Sequence, residues 1–298
     1  MPARGDQVVC SMIVAQSHRF DGTQRLFQIG LKPLEAADWI DVDARLGEYL
    51  EEKQRLRQLH PDEVFAAEPG TEAAQAELLA LLVEHLPARF PQIYRRDGDT
   101  MQIAEGTVSL AGDAPLRIAA SLVQEDLLLM RRGPENWRLA AASLSFPSSW
   151  RLGDKFGKPI HDVHAPVPGF GHGSRNAELI ARMFDTLRPD SSMLRWNWSL
   201  YGDAELFHPQ SGTQFGELDA LFLRAERQTL RKLPVSGDIV FTIRIYVDPL
   251  AELKKQKDAP AIAARLAAQL EALSAEQLAY KGLVAARDGL LARLAAYR

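Results

Sequence analysis

Between Ser145 and Gly173 the chain reads SFPSSWRLGDKFGKPIHDVHAPVPGFGHG, a stretch with four prolines, five glycines and three of the seven histidines. Proline locks φ and removes a backbone donor, and both residues weaken a strand interior, so neither regular helix nor central strand is expected here. An ordered loop of this length inside a compact domain is usually functional. Pro166 and Pro168 follow His164 and stiffen the backbone that carries it. A metal-ligating imidazole needs a fixed ring whose second nitrogen is held by a carbonyl or carboxylate. His161 and His164 could share an ion from one helical turn, but Pro159 and Pro166 argue against a helix there. His172 lies between two glycines, where the backbone is too free to hold a ligand well. Spacing alone also leaves open a structural loop whose histidines are exposed or hydrogen-bonded.

The rest of the chain must provide the scaffold. Residues 1–40 read as irregular, with an extended piece near Leu26–Ile29 and a turn at Lys32-Pro33. From Asp43 to Leu59 a helical period places Leu46, Tyr49, Leu50, Lys53, Leu56 and Leu59 on one face, with Asp41 or Asp43 as N-cap. Thr71–Leu86 predicts a second helix, capped by Thr71 and closed by Pro87. Thr100–Leu110, Leu116–Met130 and Trp137–Ser145 are strand-like runs parted by turn signals. In the middle run, Gln124-Glu125-Asp126 fits a solvent-facing edge. Ser174–Leu187 predicts a helix capped by Ser174, and Met193–Tyr201 and Gly237–Val247 predict strands. Leu221–Leu233 fits either state, and the Ala/Leu-rich tail from Pro260 reads as two helical pieces parted near Ser274. Helices, then antiparallel strands, then helices make an α+β chain.

Composition narrows the chemistry. A chain of 298 residues, 46% hydrophobic and 25% charged, can build a sizeable core. A net charge of −4 gives no nucleic-acid footprint. Cys10 is the only cysteine, which excludes an intrachain disulfide, a four-cysteine zinc site and a cysteine-ligated iron–sulfur cluster within this chain. No apolar run reaches spanning length and MPARGDQVVC lacks a signal-peptide core, so a cytoplasmic location and no membrane are expected. GFGHG before a helix lacks the glycine spacing of a dinucleotide fingerprint. Arg195 in RWNW and Arg224 in LRAER stand where an unpaired arginine would be costly. Each could hold an acidic ligand group, and Arg224 could equally pair with Glu226 or Asp219.

Several long pieces carry a resemblance. They are PSSW with KFGKPIHDVHAPVP, RWNW, LRAERQTLRKLPVSGDIVFTIRIYV, IGLKPLEAADWIDVD, SLVQEDLLLM and AYKGL. Together, spread along nearly the whole chain, they resemble the alpha subunits of haem-dependent oxidative N-demethylases. The resemblance implies a PAS-like antiparallel sheet core carrying haem b, extended by helices at both ends. On that layout residues 1–95 form an N-terminal helical extension, 96–250 the haem-binding core and 251–298 a helical tail of a single domain. It implies O₂-dependent demethylation of a small secondary amine such as dimethylamine, releasing formaldehyde. Electrons would come from NADPH through FMN and a 2Fe–2S centre on partner reductase subunits. The histidine of the family's IH-x-PVP stretch falls on His164, with Val163 in place of isoleucine. His164 is thus the expected iron ligand, Arg195 and Arg224 the expected haem-carboxylate or pocket partners, and Glu226 and Asp126 the expected catalytic polar groups. A haem-binding sensor or binding module without catalysis, or an iron-free descendant, would share the same pocket.

Overall fold

The computed structural model describes residues 20–104, 106–210 and 221–297; Cys10 and Asp219 lie outside them. Its centre is a seven-stranded antiparallel sheet. The strands are β1 (Lys32–Leu34), β2 (Phe65–Ala67), β6 (Asp126–Arg132), β7 (Trp137–Ser143), β8 (Ser192–Tyr201), β9 (Phe222–Lys232) and β10 (Ile239–Pro249), ordered β1-β8-β9-β10-β6-β7-β2. β3 (Tyr94–Asp97), β4 (Thr100–Ile103) and β5 (Gly106–Ser109) form a small separate meander. The ambiguous run near Leu221–Leu233 is strand β9, paired along its whole length with β10 and over ten residues with β8. The N-terminal extended piece is Lys32–Leu34, beyond the expected Leu26–Ile29, because pairing with β8 decides it.

Both faces of the sheet are covered, so neighbouring residues of one strand enter different cores. Leu127, Leu129, Ala141 and Val240 pack with Ala74, Leu78, Leu82 and Leu86 of the helix Glu72–Arg89. Leu128, Met130, Leu139 and Ile243 face the opposite way, toward Ile160, Phe170, Ile180 and Phe184. The C-terminal helices Ala259–Glu271 and Arg287–Ala295 pack Leu266, Leu270 and Leu290 against Trp198, Leu223 and Ala225. Between them in the chain lies a further helix, Ala275–Tyr280, which starts in a capping box at Ser274. Among the described residues no helix is long and apolar enough to cross a membrane.

Three local expectations change. Leu116–Ala120 lies in a helix, Pro115–Ala120, instead of a strand, so the strand begins only at Asp126. That turn of helix tucks Gln124, Glu125 and Asp126 inside, each fully buried, in place of the expected solvent-facing edge. Arg244 supplies the charge that faces Glu125, and Lys53, which the helical period placed among apolar residues, the charge that faces Asp126. Its Nζ donates to the carbonyls of Ala120 at 3.3 Å, of Val123 at 2.9 Å and of Glu125. Gln124 and Asp43 exchange two hydrogen bonds beside it. Finally, Pro87 does not close its helix, which runs from Glu72 to Arg89 and ends where Phe90 N donates to Leu86 O.

Candidate functional site

The sheet face that carries Leu128, Met130 and Ile243 is also the floor of a cavity of about 220 Å³. Its roof is the Pro/Gly-rich segment and the helix Arg175–Thr186, which starts where Ser174 Oγ accepts from Ala177 N at 3.2 Å. Between the prolines the segment makes two short helices, Leu152–Lys155 and Ile160–His164. The expectation that Pro159 and Pro166 argue against a helix there is therefore corrected. Pro159 sits just before the second helix at φ −58 and Pro166 just beyond its end, two positions where proline costs no internal hydrogen bond. The rim closes where Phe27 and Tyr280 meet edge-on, ring centroids 5.9 Å apart.

The histidines have different surroundings although one short helix carries both His161 and His164. His164 lies on the cavity wall, and its Nδ1 donates to Ile160 O at 2.9 Å. A carbonyl only accepts, so the proton is on Nδ1 and the Nε2 lone pair is bare. Burial, reinforced by the positive charges of Lys155 and Arg195, lowers the His164 pKa to about 4. The ring is thus neutral at pH 7 and in the form that binds metal. His161 turns outward instead, with Nδ1 3.1 Å from Asn136 Nδ2 and its ring 4.8 Å from that of His172. Among the described residues no group of three or more His, Cys, Asp or Glu side chains could hold a metal ion. Among the residues that line the cavity, His164 is the one imidazole.

Strand alternation places the polar floor. β8 and β9 pair Arg195 with Gln228 and Asn197 with Glu226, and all four side chains line the cavity. Asn197 Nδ2 donates to one Glu226 carboxylate oxygen at 3.1 Å and Gln228 Nε2 to the other at 2.7 Å. The carboxylate is held in one orientation by two neutral amides, and Glu226 is 6% exposed. Arg195 donates from Nη1 to Gln228 Oε1 at 3.1 Å and from Nη2 to Gln28 O at 3.2 Å.

Arg224 and Asp126 are not on the cavity wall; they lie under the root of the roof segment. Arg224 Nε donates to Ser148 Oγ at 3.0 Å, Nη1 to Glu205 O at 3.1 Å, and Nη2 to Phe146 O and Leu206 O at 3.0 Å and to Pro147 O at 3.3 Å. Its partners are backbone carbonyls and a hydroxyl, not Glu226. Asp126 accepts from Ser145 N at 2.7 Å and Phe146 N at 2.9 Å. The two charges thus grip the same turn of chain, one by its N–H groups and one by its carbonyls. Burial raises the Asp126 pKa to about 6 against the opposing pull of Lys53.

His164, Arg195 and Glu226 are therefore brought together, while Arg224 and Asp126 are placed apart from them. Asn197, Gln228, Lys155 and Lys281 also line the cavity and are not among the residues the sequence points to. Period-two alternation from Arg195 and Glu226 would have found the first two. Lys155 and Lys281 carry no such local signal. A family model described as haem-dependent oxidative N-demethylase, alpha subunit-like, matches residues 30–291, and the chain belongs to that family.

Proposed function

We propose that the cavity holds haem b, with His164 as the residue that would ligate its iron, and that the chain is the oxygenating subunit of an oxidative N-demethylase. The carrying observation is the His164 ring: neutral, anchored through Nδ1 to Ile160 O, and facing a cavity with Nε2 bare. The fit to a porphyrin rests on that donor and on apolar walls from Leu128, Met130, Leu139, Phe170 and Ile243. When bound, haem would supply reductive O₂ activation, which removes an N-methyl carbon as formaldehyde and consumes two electrons and two protons. Glu226 binds the ammonium of a small secondary amine such as dimethylamine. Asn197 and Gln228 keep both carboxylate oxygens aimed, so that little reorganisation is needed when the substrate arrives. Phe27 and Tyr280 exclude water at the rim. Arg195 faces the ligand, and Arg224 and Asp126 position the roof from below.

The strand order supports a PAS-like core. The five long strands β6 to β10, counted in chain order, lie as 2-1-5-4-3, the arrangement of PAS domains. The reading places the chain in the cytoplasm with separate flavin and 2Fe–2S subunits that pass electrons from NADPH, since one cysteine cannot ligate such a centre. Titration of the full chain with hemin tests the cofactor. Wild type, His161→Ala and His172→Ala should each develop a Soret band of one haem per chain, and His164→Gly should do so only with added imidazole. A wild-type band in His164→Gly without imidazole, or loss of the band in His161→Ala, would overturn the ligand assignment.

A further inference from the structure

The cavity wall carries an imbalance of charge that no residue of the wall resolves. Lys155, Arg195 and Lys281 line it, against one carboxylate, Glu226. None of the three cations has a carboxylate as hydrogen-bond partner among the described residues. Lys155 Nζ rests over the Trp150 ring, 4.1 Å from its centroid. Lys281 Nζ donates to Trp198 O at 2.8 Å and Ser199 Oγ at 2.9 Å, both neutral, which leaves one donor hydrogen unused. Arg195 donates only to an amide oxygen and a carbonyl, and its Nε is buried without a partner. Enclosing three positive groups opposite one negative group is costly unless the ligand brings negative charge. Burial lowers the pKa of both lysines, each to about 8, as expected for cations short of a counter-ion.

We infer that Lys155 and Lys281, together with Arg195, form a dianion subsite that receives the two carboxylates at the edge of the porphyrin. The two carboxylates and Glu226 set three negative groups against the three cations of the wall. The inference rests on the haem reading but concerns different residues from the axial ligand. It keeps Arg195 in the anchoring role that the sequence suggested and gives the place expected for Arg224 to two lysines distant in sequence. Each lysine ammonium gives charge without a fixed fork, and Arg195 supplies a planar donor on the same wall.

The test compares hemin with hemin dimethyl ester, which has the same iron and ring but no carboxylates. Both are titrated into the full-length protein, wild type and the variants Lys155→Met and Lys281→Met, with Soret absorbance and tryptophan quenching as readouts. Wild type should bind the diacid about a hundredfold more tightly than the ester, on the order of tenfold for each charge-assisted contact. Each lysine variant should lose roughly tenfold in diacid affinity and leave ester affinity unchanged. A purely structural lysine would lower both affinities alike, and that outcome overturns the inference. So does equal binding of diacid and ester by wild type, the behaviour of a site whose cations serve a free carboxylate substrate. A Soret band from both porphyrins of equal strength leaves the haem reading standing; no band from either removes both.

Discussion

Arg224 offers the sharpest separation between a cofactor ligand and a scaffold element. It is 1% exposed and makes five hydrogen bonds, from three guanidinium nitrogens, to Ser148 Oγ and the carbonyls of Phe146, Pro147, Glu205 and Leu206. Arg224→Lys keeps the charge but gathers its donors at one point, so a lysine cannot span acceptors on both the roof segment and residues 205–206. With roughly 1.5–3 kcal/mol for each hydrogen bond to a charged group, the loss of two costs about 3–6 kcal/mol. That is a large share of the ~5–15 kcal/mol that holds a typical domain folded. Urea unfolding of the haem-free protein, followed by tryptophan fluorescence and far-UV circular dichroism, measures it. The transition should move to markedly lower urea while the folded fraction still takes up hemin with unchanged affinity. Arg195→Met should behave in the opposite way, with a small change in midpoint and weaker hemin binding. An unchanged midpoint in Arg224→Lys combined with loss of hemin would show that Arg224 faces the cofactor, and the argument from its carbonyl partners would fail.

Other expectations follow from the buried polar groups. The folded Asp126 carboxyl keeps its proton up to about pH 6, while the unfolded one releases it near 3.8, so the folded chain binds more protons between these values. Stability should therefore fall as pH rises from about 4 to 6, by roughly 3 kcal/mol at most for this group, whose charged neighbours are Lys53 and Arg224. Asp126→Asn should flatten that slope in urea midpoints taken at several pH values, and a slope left intact would contradict it. Thr229 and Thr242 are fully buried with their hydroxyls 2.6 Å apart, so either single change to Val should cost about 1–3 kcal/mol and the double change clearly less than the sum. Additive costs in that cycle would mean the hydroxyls do not depend on each other. Ser174→Ala should destabilise the roof helix by about 1 kcal/mol, seen as faster amide exchange at Ala177, whose N–H the serine accepts.

Signals that act within a few residues are legible in the sequence alone. Ser174 and Ser274 start helices because their hydroxyls reach a backbone N–H three residues on, and the strands Ser192–Tyr201 and Ile239–Pro249 follow from local pattern. His164 stands out by its place before two prolines, and Arg195 and Glu226 by charge in strand-like sequence. What only the tertiary structure decided involves partners far apart. Glu125 and Asp126 look like an exposed edge until charges from distant segments face them, Lys53 toward Asp126 and Arg244 toward Glu125. Arg195 and Arg224 look alike in sequence, yet one meets a cavity and the other the hydroxyl and carbonyls of a turn 76–78 residues earlier and the carbonyls of residues 205–206. The cations Lys155 and Lys281 share a wall only because the roof segment and the C-terminal tail converge over one sheet face. Hydrogen-bond caps and periodicity are local and therefore written in neighbouring residues. The counter-charge of a buried ion is set by whichever segment folds against it.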